Sequence, residues 1–122
     1  MADKLLIIMV NTHPESSTAV TAVLSQATVA AAMEYEVEVI FSGRSGQLAI
    51  KGVAKKILLS SDTNKTAYAL IQEAHEAGVH FKVCANTLNE WGDKLIPEVE
   101  ETVGGAYIIS EAMDDHTVTL TY

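Results

Sequence analysis

The chain has 122 residues, of which 48% are apolar and 20% charged, with a formal net charge of −8. That length suits one domain around one core, residues 1–122, and that balance excludes a disordered chain. The charge repels phosphate backbones and anionic lipid, so neither nucleic acid nor a membrane surface is an expected partner, whereas a protein with a basic patch is favoured.

Six apolar residues, Leu5 to Val10, follow the N-terminal Met1-Ala2-Asp3-Lys4; they are too few for a signal-peptide core and no small-residue cleavage site follows. Lys4 to Val10 instead reads as a strand buried on both faces, ending in the polar loop Asn11-Thr12-His13-Pro14. Pro14 suits the first turn of a helix, Ser16 and Ser17 are candidate caps, and Val20, Val23, Leu24, Ala27 and Ala31 recur at helical spacing, which predicts a helix to about Met33. Thr18, Thr21, Ser25, Gln26 and Thr28 interrupt that segment and make it a packed helix rather than a membrane span. Tyr35 to Phe41 is rich in β-formers and leads into Ser42-Gly43-Arg44-Ser45-Gly46, a turn with two glycines. From Gln47 to Leu59 the pattern fits a short helix, a third strand or both.

Asp62 or Thr63 is placed to cap a helix whose Ala67, Leu70, Ile71 and Ala74 form an i, i+3, i+4, i+7 stripe, with Gly78 at the left-handed C-terminal position. Val79 to Cys84 follows as a strand. Alternation sets Val79, Phe81 and Val83 on one face, and His80, Lys82 and Cys84 on the other, so the second face is not wholly apolar. Thr87-Leu88-Asn89-Glu90 reads as a capping box for a short helix stopping near Gly92. Ala106 to Ile109, after Gly104-Gly105, reads as an apolar strand, and Thr117 to Tyr122 alternates as a terminal strand. Strands alternating with helices predict an α/β fold, a parallel sheet covered by helices on both sides.

In such a sheet the loops leaving the carboxyl ends of the strands form the ligand crevice. Cys84 lies at that edge, immediately before a predicted helix whose unpaired N–H groups stabilise an anion, and such a position favours thiolate over thiol. Equally, a lone cysteine between Val83 and Ala85 fits the role of a small buried hydrophobe. One cysteine makes no intrachain disulfide and no cysteine-based metal cluster, and agrees with a reducing, cytoplasmic compartment.

Arg44 and His13 sit in loops at the same edge and suit an anionic ligand, though an ordinary solvated arginine and a helix-start histidine explain them as well. Asn86 and Thr87 are donors beside Cys84, and helix capping alone accounts for both. His75 and His80 lack partners at ligand spacing, and His116 beside Asp114 and Asp115 is better explained as a polar turn than as a metal site. Trp91 fits the core or a subunit contact, and Ser42 to Gly46 lacks the lysine and spacing of a phosphate loop.

Taken in order, the opening strand Lys4-Leu5-Leu6-Ile7-Ile8, the alanine-rich helix before Glu36 to Phe41, the turn at Ser42 to Gly46, the segment Glu76 to Leu88 and the tail from Gly104 resemble the DsrE/DsrF-like family, which includes TusD-type subunits of sulfur relay. Most telling is Gly78-Val79-His80-Phe81-Lys82-Val83-Cys84, similar to the family segment in which a glycine-led strand ends in the sulfur-carrying cysteine. The junction Glu34-Tyr35 departs from the pattern by lacking the glycine common there. The resemblance implies a three-layer α/β/α sandwich with a mostly parallel five-stranded sheet, and a sulfurtransferase or sulfur carrier. In that reading Cys84 takes sulfane sulfur from a TusA-like carrier, Arg44, His13, Asn86 and Thr87 bind substrate, no cofactor or metal is needed, and the chain forms a homotrimer or homohexamer. With a single cysteine, any resolving thiol must come from another chain. The alternative is a noncatalytic assembly subunit or small-ligand module in which Cys84 is structural.

Overall fold

The computed structural model describes residues 3–60 and 64–122. Chain order begins with strand β1 (Lys4–Met9), helix α1 (Ser17–Ala32), strand β2 (Glu36–Phe41) and two 3-10 helices, Gly43–Ala49 and Ala54–Lys56. Next come β3 (Leu58–Ser60), β4 (Lys65–Thr66), α2 (Ala67–Ala77), β5 (His80–Cys84) and α3 (Ala85–Trp91). The chain closes with β6 (Val99–Val103), α4 (Gly105–Ala112) and β7 (Thr117–Thr121).

Five strands form one sheet in the order β6-β5-β2-β1-β7, and every neighbouring pair is parallel. The sheet is thus wholly parallel, and the antiparallel pairing is confined to the small ribbon of β3 and β4. From β1 the chain steps outward through β2 and β5 to β6, then returns across the sheet to place β7 on the far side of β1. Right-handed crossovers in opposite directions put their helices on opposite faces, which is why α4 stands against α1 and α2 across the sheet. Three layers result.

Alternation along the strands divides the core accordingly. Ile7, Met9, Val37, Val39, Phe41, Phe81 and Val83 pack with Val20, Val23, Leu24 and Ala27 of α1 and with Leu70, Ile71 and Ala74 of α2. Phe41 and Phe81 stack with ring centroids 5.4 Å apart. On the opposite face Leu6, Ile40 and Val103 meet Tyr107, Ile108 and Ala112 of α4. The two helical stripes expected for α1 and α2 are therefore the buried ones, and Gly78 ends α2 at φ 112°.

Several local expectations are corrected. Residues 106–109 belong to helix α4, not a strand: Tyr107, Ile108 and Ala112 fall on one helical face, and Gly104 at the N-cap lets the chain turn directly out of β6. The strand in that region is β6, whose Val-Glu-Glu-Thr-Val is too charged and exposed to stand out by hydropathy, because it lies at the sheet edge. Pro14 lies in the turn before α1, which starts at Ser17 after Ser16 as N-cap. Asp62 and Thr63 lie outside the described residues; the cap of α2 is Thr66, whose side chain accepts from the Ala69 N–H at 3.1 Å. The ambiguous stretch after Gln47 holds both alternatives, 3-10 turns and then β3.

Candidate functional site

Strand β5 ends at Cys84, and the chain enters α3 at the next residue. Cys84 itself is the N-cap, in extended conformation at φ −70° and ψ 136°, without a side-chain capping hydrogen bond. Thr87 therefore does not cap α3; it lies one turn inside the helix, fully covered, with a hydroxyl that has no hydrogen-bond partner among the described residues. Cys84 is paired in the sheet with Val103, the last residue of β6. From these two neighbours the chain departs to opposite sides: α3 packs on the Gly43–Ala49 helix, whose Leu48 and Ala49 belong to the core beneath α1 and α2, whereas α4 crosses the other face. Adjacent strands whose exits diverge leave a crevice between their carboxyl ends, the usual ligand position in an open parallel sheet. Cys84 stands at that point, 8% exposed. Gly104 and Gly105, which follow Val103, have nothing within 4 Å of where a side chain would begin, so the backbone start of α4 borders open space.

Polar ties assemble the rim. Ser45 Oγ donates to the Thr12 carbonyl at 2.8 Å, joining the exit loops of β2 and β1. Trp91 Nε1 donates to the Gly43 carbonyl at 3.0 Å, so the tryptophan, 40% exposed, closes the end of α3 onto the β2 exit. Gly46 lies under Thr87: a Cβ there would come within 2.6 Å of Thr87 Cγ2, which requires glycine. Gly43 has φ 50° and its Cβ would meet the Val10 carbonyl oxygen at 2.6 Å. Both glycines of the expected turn thus serve close packing.

The face that Cys84 shares with His80 and Lys82 carries a charged cluster beneath α4. Glu38, 3% exposed, lies 3.1 Å from Lys4 Nζ and 3.4 Å from Lys82 Nζ. Lys82 also reaches Glu101 at 2.8 Å and donates to the Tyr107 hydroxyl at 2.6 Å, while Lys4 pairs with Glu111. Tyr107 donates to Glu38 at 2.8 Å, and its ring lies 4.6 Å from Lys82 Nζ. Burial pulls the Lys82 ammonium down, but bonds to Glu101 and Tyr107 and the Glu38 charge outweigh it and hold Lys82 above an ordinary lysine. Lys4 is likewise raised: burial opposes the charge, and Glu111 and Glu38 prevail. Both lysines therefore stay cationic, each matched by carboxylates. Sequence reading recognised the polarity of this face but not the cluster; its signal was Glu38 standing within the run Val37 to Phe41, apolar at every other position, because a buried charge demands a partner.

The remaining expected site residues are spread along the edge. Arg44 is exposed on the first 3-10 helix; its carbonyl accepts from Gln47 Nε2 at 3.2 Å, and its guanidinium forms no hydrogen bond or ion pair among the described residues. Exposed His13 accepts the Glu15 N–H on Nδ1 at 3.1 Å, shaping the turn before α1, and borders a hollow with Gln47, Lys51 and Lys56. Asn86 is exposed in the first turn of α3. Cys84 and Thr87 are thus joined by α3, with Arg44's loop packed on Thr87 through Gly46, while His13 belongs to a neighbouring hollow. His116 lies in the turn before β7, its N–H donating to Asp114 Oδ1 at 2.8 Å. Among the described residues no group of three or more His, Cys, Asp and Glu side chains is placed to hold a metal ion, and no helix is long and apolar enough to cross a membrane.

A sequence model of the DsrE/DsrF-like family matches residues 4–121. The chain belongs to the DsrE/DsrF-like family. Membership implies, in general terms, a role in sulfur relay. No curated protein matches the chain. As a DsrE/DsrF-like protein it keeps a cysteine at the end of its glycine-led strand, and it carries Glu34, with φ 71°, where the resemblance leads one to expect glycine.

Proposed function

We propose that this DsrE/DsrF-like protein is a sulfurtransferase or sulfur carrier that holds sulfane sulfur on Cys84 as a persulfide and exchanges it with a TusA-like carrier protein. The observation that carries the reading is the place of the lone cysteine: it ends β5 beside Val103, where the exits of β5 and β6 diverge. The Cys84 thiolate attacks the sulfane sulfur of a donor persulfide. The donor S–S bond breaks, its electron pair leaves on the donor sulfur, which takes up a proton as a thiol, and a new S–S bond remains on Cys84. One S–S bond is exchanged for another, so no oxidant, metal or organic cofactor takes part. Thr87 packs against Gly46 in the helix that follows Cys84, whereas exposed Arg44, Asn86 and His13 suit donor docking at the rim.

The exposure of Cys84, only 8%, favours a second reading, an assembly subunit whose cysteine is structural. Intact mass spectrometry after exposure to polysulfide separates the two. Loading adds sulfur to the wild-type chain and none to Cys84→Ser; a wild-type chain that gains no sulfur from either polysulfide or a persulfidated TusA-like donor leaves the structural role standing.

A further inference from the structure

The two edges of the sheet are built differently. Edge strand β6 follows Pro97, carries exposed Glu100 and Glu101, and shifts register against β5 between Phe81 and Lys82, all features that discourage a further strand. Edge strand β7, Thr-Val-Thr-Leu-Thr, has no charge, no proline and no register shift against β1. Its backbone directions are set by Tyr122, whose N–H donates to the Ile8 carbonyl at 2.9 Å and whose carbonyl accepts from Val10 at 2.8 Å. In a parallel strand a residue aims both groups to one side and the next residue to the other. Val118 and Leu120 therefore face β1 with their backbone, Thr119 and Thr121 aim N–H and C=O outward, and Thr117 offers its C=O, its N–H being bonded to the Asp114 carbonyl at 3.1 Å.

Three outward residues spaced evenly about Thr119 form a self-complementary row. We propose that a second copy of this chain pairs antiparallel along β7 about a two-fold axis at Thr119, extending the sheet across both molecules. Thr119 then meets Thr119 of the partner subunit, the two exchanging two hydrogen bonds, and the Thr121 N–H donates to the carbonyl of Thr117 of the partner subunit. Between them Val118 stands opposite Leu120 of the partner subunit in the positions where side chains approach most closely. Both are open to solvent in the single chain, 48% and 37% exposed. Val118 also borders a groove of about 520 Å³ whose other wall is Val29 of α1, Met33 at its C-cap and Tyr35, residues 58%, 61% and 46% exposed. The two-fold brings the grooves of both copies to the seam, so an apolar strip unusual for an isolated chain is covered. No charged side chain lies within the paired strands, which keeps the repulsion between two chains of net charge −8 away from the seam. Of the expected assemblies, a homohexamer holds three such pairs; a bare homotrimer holds none.

The full chain and two double variants decide this by sedimentation at micromolar concentration. Val118→Glu with Leu120→Glu sets carboxylates against each other across the seam and halves the mass. Val118→Glu with Leu120→Lys sets opposite charges together, because this register alone places residue 118 against 120, and restores the paired mass. Amide hydrogen exchange of the wild-type chain reads the same seam without substitution: the outward N–H groups of Thr119 and Thr121 exchange at least tenfold more slowly than those on the open side of β6. A monomeric or odd-numbered wild-type assembly, unprotected β7 amides, a mass unmoved by the paired glutamates, or a seam filled only on adding an unrelated extended peptide overturns the proposal.

Discussion

Glu38 is the centre of the charged cluster beneath α4, and replacing it with glutamine tests whether that cluster holds the helix to the sheet. The carboxylate lies 3.1 Å from one ammonium and 3.4 Å from the other, with side-chain exposures of 11% for Lys4, 12% for Lys82 and 4% for Glu38 itself. At an effective dielectric near 20, each pair contributes a gross attraction of about 5 kcal/mol, most of which desolvation offsets. Glutamine keeps the shape and an oxygen for the Tyr107 hydroxyl, but leaves Lys4 with Glu111 and Lys82 with Glu101 as their remaining carboxylates. Breaking a buried pair from one side costs about 3–5 kcal/mol; with each lysine still partnered, Glu38→Gln is expected to lose about 2–4 kcal/mol. Urea unfolding at one fixed protein concentration measures it, since subunit association shifts apparent stability. A loss below about 0.5 kcal/mol refutes the reasoning, because the outer carboxylates would then compensate both lysines unaided.

The same cluster sets a pH profile. Lys82 and Lys4, raised above their ordinary 10.5, bind protons more tightly when folded, so their contribution is complete below that pH and is lost as pH rises past it. Tyr107 acts in the same sense above 10.0: burial raises it, Lys82 opposes and Glu38 assists. Glu111 is lowered from 4.5 by its bond to Lys4, so its contribution is lost as pH falls below that value. Urea midpoints should stay level from about pH 5 to 9 and fall on either side; a midpoint that climbs above pH 10 contradicts the assignment. Glu34→Gly relieves a left-handed residue at φ 71° and should gain about 0.5 kcal/mol, a melting temperature higher by about 2–4 °C, with a fall counting against strain there. Gly46→Ala forces a methyl within 2.6 Å of Thr87 and should cost about 1–3 kcal/mol, part of which Thr87→Ala restores; simply additive losses would show that the two do not collide.

Where hydrophobic period and burial coincide, the chain was readable. The stripes of α1 and α2, the two-sided burial of β1 and the left-handed Gly78 follow from side chains that had one way to be covered. Residues 106–109 are four apolar residues in a row, which suit either period, and β6 leaves no hydropathy signal because an edge strand needs no apolar face. The site was half legible. Cys84 at a strand end could be placed from Val79 to Cys84 alone, but its neighbour Val103 and the divergence of α3 from α4 depend on strand order, which no local pattern records. Loop position alone points to Arg44 and His13, whose side chains are exposed, whereas from the loop after β2 it is Gly46, against Thr87, and Gly43, through Trp91, that meet the helix following Cys84.

Why a covered sheet face should bear Lys4, Glu38 and Lys82 is a question stability alone does not answer, since well-packed apolar residues of similar volume often serve as well or better. An apolar interface would let α4 settle by packing in more than one way, and α4 has no fully buried residue to select among them. Directional bonds do select. Tyr107 meets Glu38 and Lys82, and one turn later Glu111 meets Lys4, so the rotation and height of α4 are fixed at two points four residues apart. Gly104, the N-cap, alone separates Val103 from Gly105, the first residue of that fixed helix, and neither glycine has a side chain to wedge it. The cluster therefore determines where the backbone after Val103 runs, and Val103 is the residue paired with Cys84. In this arrangement the ion pairs of Lys82, two residues back along β5, help fix the strand end at which Cys84 stands beside Val103.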